Sequence, residues 1–286
     1  KKMMYETINS SYYQHKRLDK EIHNNIMNIF HEYVLVGGMP EAVDVFLDEN
    51  SYLESRNTLI DIYDNYLSDM DLYQASPESV VRSKKVFSNI YSQLNKESKN
   101  FRPSLIESGA KGRDMVSPID WLELSHLVLK SSLVKENVTN PLVESEESMF
   151  RLYLSDIGMF SYQSGINATS FINEGSRNTL SGIFYENYVA TELVASGNKL
   201  FYWKGKGNSE FEFLVESGSS IIPIDVKKGR GSLNSLEKYK NHNKVTLAVK
   251  ISAQQYGYDS EKKILNIPFY YVFLFVEDLK NSTINY

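Results

Sequence analysis

Four ionisable residues, Glu210, Glu212, Asp225 and Lys227, lie within NSEFEFLVESGSSIIPIDVKKG, residues 208–229. Carboxylates at such spacing can hold a metal. Hard divalent cations such as Mg²⁺ take oxygen ligands, often one or two carboxylates completed by water. Water bound there becomes acidic enough to act as a nucleophile. Lys227 can orient that water or offset charge on a phosphate. The alternative is a hairpin face turned to solvent, where water weakens the repulsion between the acids.

The elements that position these residues are two strands and a turn. Phe211, Phe213 and Val215 alternate with polar neighbours, as do Ile222, Ile224 and Val226, the period-2 pattern of a strand with one buried face. Ser217-Gly218-Ser219-Ser220 between them supplies turn residues. A four-residue loop pairs Phe211 with Val226, Phe213 with Ile224 and Val215 with Ile222. A slip of one residue destroys every apolar match. The same register sets Glu212 across from Asp225 and Glu210 across from Lys227. Like charges directly opposite each other destabilise a sheet, so the pair requires either solvent or a cation.

The surrounding chain reads as helices first and a mixed α/β region later. Residues 18–35 place Ile22, Ile26, Ile29, Phe30 and Tyr33 on one helical face. Gly37-Gly38 ends that helix, and Met39-Pro40 starts the next. Helices follow over 52–73 and 78–94. Ser117-Pro118-Ile119-Asp120 has the form of a further helix start, with a short strand at 133–138 after it. Three helices and a β-wing over 78–140 suggest a winged helix-turn-helix module. From 179 onward the expected order is a helix, strands at 200–206 and in the hairpin, a helix at 233–242, and strands at 245–252 and 268–275.

The 286 residues carry a net charge of −5, contain no cysteine and have ordinary hydrophobic content, 42%. Disulfides, thiolate zinc sites and cysteine nucleophiles are therefore excluded. No apolar run is long enough to span a membrane, and a cytoplasmic protein is expected. Residues 77–140 hold ten basic and seven acidic side chains, and residues 175–286 hold fourteen and eleven. Only local patches can therefore serve phosphates. Lys111, Arg113, Lys228 and Arg230 are the candidates for nucleic-acid contact, with solvated loops as the alternative. His15, His23 and His31 read as surface residues. There is no GxxxxGK[ST], HExxH or GxSxG motif, so this chain alone is no ATPase. The opening Lys-Lys, with no initiator Met ahead of it, suggests a piece of something longer.

Glu186 on a helix, an acid on the second strand and acid-x-Lys on the third resemble the PD-(D/E)xK nuclease fold. YVLVGGMPEAV (33–43), RLYLSDIGMF (151–160), GIFYENYVATEL (182–193), FYWKGKGNSEFEFLV (201–215) and IIPIDVKKG (221–229) are more specific. They resemble the region of unknown function that follows the ATPase core in bacterial and archaeal AAA-type ATPases. The resemblance covers nearly the whole chain, with the motifs in order. It implies an α+β protein: a helical segment over 1–76, a winged-helix-like domain over 77–174, and a restriction-endonuclease-like domain with a mixed sheet over 175–286. It also implies an upstream ATPase domain, where any ATP would bind.

Carried over by position, the nuclease pattern falls on Glu186, Glu212, Asp225 and Lys227. Glu212 stands where the family more often has Asp, and Asp225 where it more often has Glu. The negative charge is kept while one side chain lengthens and the other shortens. The expected chemistry is phosphodiester hydrolysis on DNA. Glu212, Asp225 and the Val226 carbonyl hold Mg²⁺ or Mn²⁺, Lys227 positions water, Glu186 orders a bound water or second ion, and Glu210 supports them. The alternative is a non-catalytic module of the ATPase that docks DNA, a partner protein or another copy of the chain as a homo-oligomer.

Overall fold

The hairpin forms in the expected register. In a computed structural model that describes residues 2–74, 76–134, 138–167, 180–207, 209–229, 231–243 and 245–284, Phe213 lies opposite Ile224 and Val215 opposite Ile222. Pairing runs on to Ser217 and Ser220, so the loop is a two-residue turn, Gly218-Ser219, and not four residues. Gly218 has φ 58°, a value open to glycine and suited to tight hairpin turns. Both strands lengthen by one residue, so the register is unchanged.

In chain order the strands are β1 (Val128–Val134), β2 (Phe150–Leu154), β3 (Leu200–Lys204), β4 (Glu210–Ser217), β5 (Ser220–Lys227), β6 (Ala248–Ser252), β7 (Gly257–Asp259) and β8 (Ile264–Pro268). They are hydrogen-bonded in the order β2-β1-β3-β4-β5-β6-β8-β7. β1 with β3, β5 with β6, and β6 with β8 run parallel. β3 with β4, β4 with β5, and β7 with β8 run antiparallel. The protein is thus α+β with a mixed sheet.

The helices are α1 (Lys2–Tyr13), α2 (Lys20–Val36), α3 (Pro40–Glu49), α4 (Tyr52–Tyr73), α5 (Pro77–Ser88), α6 (Ile90–Leu94), α7 (Pro103–Ile106), α8 (Gly112–Leu124), α9 (Ile157–Ser164), α10 (Gly182–Ala195), α11 (Asn234–Asn243) and α12 (Val272–Asn281). No described helix is long and apolar enough to cross a membrane. The chain divides into two units. The first comprises residues 1–30, 131–147 and 192–286, and the second residues 31–130 and 148–191.

Within the first unit, α11 covers part of one sheet face. Its Leu236 and Tyr239 pack with Leu214, Ala248 and Ile264. Tyr239 also meets the rings of Trp203 and Phe211 edge-on. Beyond Pro268, which ends β8, the segment PFYYVFLF forms no strand. A 3-10 turn at Phe269–Tyr271 leads into α12, and the last described strand is the preceding β8. A short apolar run cannot distinguish a buried strand from a buried helix by periodicity. Here Val272, Phe275, Val276 and Leu279 are buried while Glu277 and Lys280 reach solvent, a helical alternation.

In the second unit, α8 starts at Gly112 and carries Pro118 inside it, so Ser117-Pro118 is no helix start. The helix stops at Leu124. The Leu127 amide reaches back to the Leu122 carbonyl and the His126 amide to that of Glu123. His126 itself is left-handed, φ 56°. This is the double hydrogen bond of a Schellman ending, formed without the glycine that usually announces it. β1 therefore begins at Val128, five residues ahead of the strand expected at 133–138.

The glycine-rich motif and the SDIG motif meet in the same unit. Asp156 caps α9, accepting from Met159 N at 2.8 Å, and also accepts from Gly38 N at 2.7 Å. A Cβ on Gly37 would lie 2.8 Å from Gly158 Cα, and one on Gly158 would lie 2.6 Å from the Val36 carbonyl oxygen. These glycines let two backbones touch. On α2 the buried face is turned from the one expected: Ile22 and Ile29 are exposed, whereas His23, Ile26, Met27, Phe30 and His31 are buried. His23 and His31 are therefore not surface residues. The His23 ring nitrogens face the Tyr270 hydroxyl at 2.8 Å and the Ala253 carbonyl at 3.2 Å, and His31 meets the Tyr185 hydroxyl. Burial of a polar ring is tolerated when it finds such partners.

Candidate functional site

Two carboxylates from adjacent strands are buried side by side in the first unit. Glu212 on β4 is 5% exposed and Asp225 on β5 is 1% exposed. The solvent-facing hairpin is thereby ruled out. The β3–β4 ladder shifts between Phe201–Leu214 and Trp203–Phe211, an irregularity of the kind that re-aims side chains. Phe211 stacks on Trp203 at 5.2 Å and meets Tyr239 at 5.0 Å; the described β4–β5 pairs run only from Phe213–Ile224 to Ser217–Ser220. The expected Phe211–Val226 pair is thus not among them. Beyond that end of the ladder, Glu212 Oε2 accepts from the Val226 amide at 2.9 Å.

Lys227 neutralises part of this charge. Its Nζ bonds Asp225 Oδ1 and lies 3.9 Å from Glu212 Oε2. Its stem runs past Gly231, where a Cβ would come within 2.7 Å of Lys227 Cδ. Burial raises the Asp225 pKa, to about 8, and the Glu212 charge adds to the rise while Lys227 opposes it. Two like charges in a dry site favour keeping one proton.

The sheet extends the polar row. Asp225 pairs in register with Lys250 on β6, and Lys250 with Asn266 on β8. Lys250 is 5% exposed and donates to Gln254 Oε1 at 2.8 Å. Burial lowers its pKa, Asp225 partly restores it, and Lys227 lowers it again. Sequence reasoning passed over Lys250. The available signal was a single lysine inside the apolar run VTLAVKIS.

Glu186, in the second unit, is buried and bonded by Lys99 Nζ at 2.5 Å. Glu210 is half-buried and pairs in register with Lys204 of β3. Lys111 and Arg113 are exposed at the start of α8, and Lys228 is half-buried beyond β5. Arg230 lies outside the described residues.

Among the described residues, no group of three His, Cys, Asp or Glu side chains is placed to hold a metal. Glu212 and Asp225 still offer the hard oxygen donors that Mg²⁺ takes one or two at a time. The Lys227 ammonium already lies against both, so the pair accepts positive charge there.

Residues 27–170 match the family model described as Domain of unknown function (DUF8612). Residues 181–270 match that of Domain of unknown function (DUF4143). No curated protein and no solved structure matches the chain.

Proposed function

Since the chain belongs to the DUF8612 family through residues 27–170, we propose that this family member joins a winged-helix-like region to a nuclease-like unit that hydrolyses phosphodiesters in DNA. One observation carries the reading: Glu212 and Asp225, buried and adjacent, with Lys227 against both. Buried like charges with a shifted pKa are a mark of functional sites. The order helix, three strands, helix, strand, from α10 through β6, supports a PD-(D/E)xK-like fold. The match to DUF4143, known from AAA-ATPase-associated proteins, supports an ATPase as the working partner.

In this reading Glu212, Asp225 and the Val226 carbonyl would hold Mg²⁺ or Mn²⁺, which would supply an acidified water and offset phosphate charge. Lys227 would orient the attacking water or meet the developing negative charge. Asp225 would serve there as the ionised carboxylate.

A second reading is favoured by the pairing of the charges themselves. In the first unit Glu212 holds the Val226 amide and Lys227 holds Asp225; in the second, Lys99 holds Glu186. Such pairing can simply maintain a scaffold that binds DNA or a protein partner. The test is incubation of the whole chain with supercoiled, nicked, branched and single-stranded DNA plus Mg²⁺ or Mn²⁺, beside Asp225→Asn and Lys227→Ala. Metal-dependent cleavage abolished by both substitutions is expected. Cleavage indifferent to them overturns the site, and no cleavage on any substrate favours the scaffold.

A further inference from the structure

A cleft of about 410 Å³ opens on the first unit. Its walls include Arg17, Lys250, Lys262, Gln254, Asn266 and Asp259. Three cations thus face one acid. Lys262 is held by Glu237 at 2.9 Å, while Arg17 and Lys250 line the same cleft as N–H donors suited to an anion.

Arg17 is held in place from behind. Its Nε donates to the Tyr256 carbonyl at 2.8 Å, and among the described residues it forms no ion pair. Gly257 makes room for the guanidinium, since a Cβ there would stand 3.1 Å from Nη2. The fork is therefore set while its outer N–H groups remain available, the arrangement that suits arginine to phosphate. Lys250 forms the deeper wall. Asn266 fixes the adjoining loop by donating to the Gln255 carbonyl at 2.7 Å and accepting from Ser252. A buried ammonium gains from an incoming anion because water contributes little to its solvation.

Lys250 also joins the cleft to the carboxylate pair. It pairs in register with Asp225, one strand spacing of about 4.8 Å away. We propose that Arg17 and Lys250 form a phosphate-binding subsite that receives a backbone phosphate of the nucleic-acid strand, next to the one held at Glu212 and Asp225. Arg17 precedes both matched segments, 27–170 and 181–270, so neither family match covers it. The identity of the phosphate's carrier rests on the phosphodiester reading above, whereas the subsite itself does not.

The test measures binding without cleavage. The whole chain in EDTA is titrated into a fluorescein-labelled single-stranded oligonucleotide, followed by anisotropy at several salt concentrations, with inorganic phosphate as competitor. R17Q and K250M are expected to weaken binding about tenfold and to reduce the salt slope by about one contact. G257A, which crowds the guanidinium, is expected to lie between R17Q and the native chain. Lys280→Gln, at the exposed end of α12, is expected to match the native chain. Unchanged affinity and slope in R17Q overturn the subsite, and this exposed position decides the matter if K250M fails to fold. Phosphate binding that R17Q weakens, with no tighter binding of the oligonucleotide, keeps the subsite and overturns its nucleic-acid carrier. Failed cleavage beside R17Q-sensitive binding separates the two proposals.

Discussion

At Asp225, burial and a neighbouring carboxylate act in the same direction, and the proton is held far above the ordinary carboxylate range. An unfolded chain releases that proton near pH 3.9, whereas the folded one keeps it to about 8. Between those values the folded state binds more protons, so stability falls as pH rises, by at most about 1.4 kcal/mol per unit. Urea unfolding at about pH 5, 7 and 9 is expected to show this decline in the native chain. Asp225→Asn is expected to flatten it and to exceed the native chain in stability at the alkaline end. A steeper decline in the variant contradicts the assignment. The acid pair itself was legible in the sequence because alternation and register set Glu212 beside Asp225. Its burial was not, since nothing in the hairpin segment reports what other strands and helices cover it. Lys250 was missed for the same reason: its partner is chosen by the crossover from β5 to β6.

Among the elements, sequence patterns were most informative where local chemistry decides the outcome. α4 runs from Tyr52 to Tyr73, the span expected, and Ser51 caps it by accepting from the Glu54 amide. Endings without a signature were misplaced. α8 stops on a left-handed histidine, and the run into α12 contains too few polar residues to reveal its period. Gly37 and Gly158 show the opposite case, in which small residues mark close backbone approach. Gly158→Ala is expected to destabilise the protein by on the order of 3 kcal/mol, because its methyl would meet the Val36 carbonyl and neither backbone can yield cheaply. Thermal unfolding of that variant beside Gly109→Ala is the measurement. Gly109 has open space around its Cβ position but a φ of 80°, so a smaller loss, from backbone strain alone, is expected there.

For the whole molecule, fold class followed from the order of elements, whereas the two units follow from contacts between distant segments. Residues 131–147 belong with 192–286, and 148–191 with 31–130, a division that no linker in the sequence marks. Function at this scale turns on whether a metal binds the folded chain. Mg²⁺ or Mn²⁺ at a hundredfold excess over its Kd is expected to stabilise the native chain by about 2.7 kcal/mol. The gain should grow with pH as Asp225 loses its proton. Melting temperatures with and without the ion, in the native chain and in Asp225→Asn, provide the check. An equal rise in both places the ion elsewhere.

The hydrogen bond from the Val226 amide to Glu212 has its own consequence. At that point the two hairpin strands are fastened by a side chain, and a side chain can let go without unravelling the ladder. Anything that draws the Glu212 carboxylate away, whether an ion, a proton or a substitution, frees one main-chain N–H for exchange with deuterium. The hairpin thus contains an amide whose exchange rate records what Glu212 is holding.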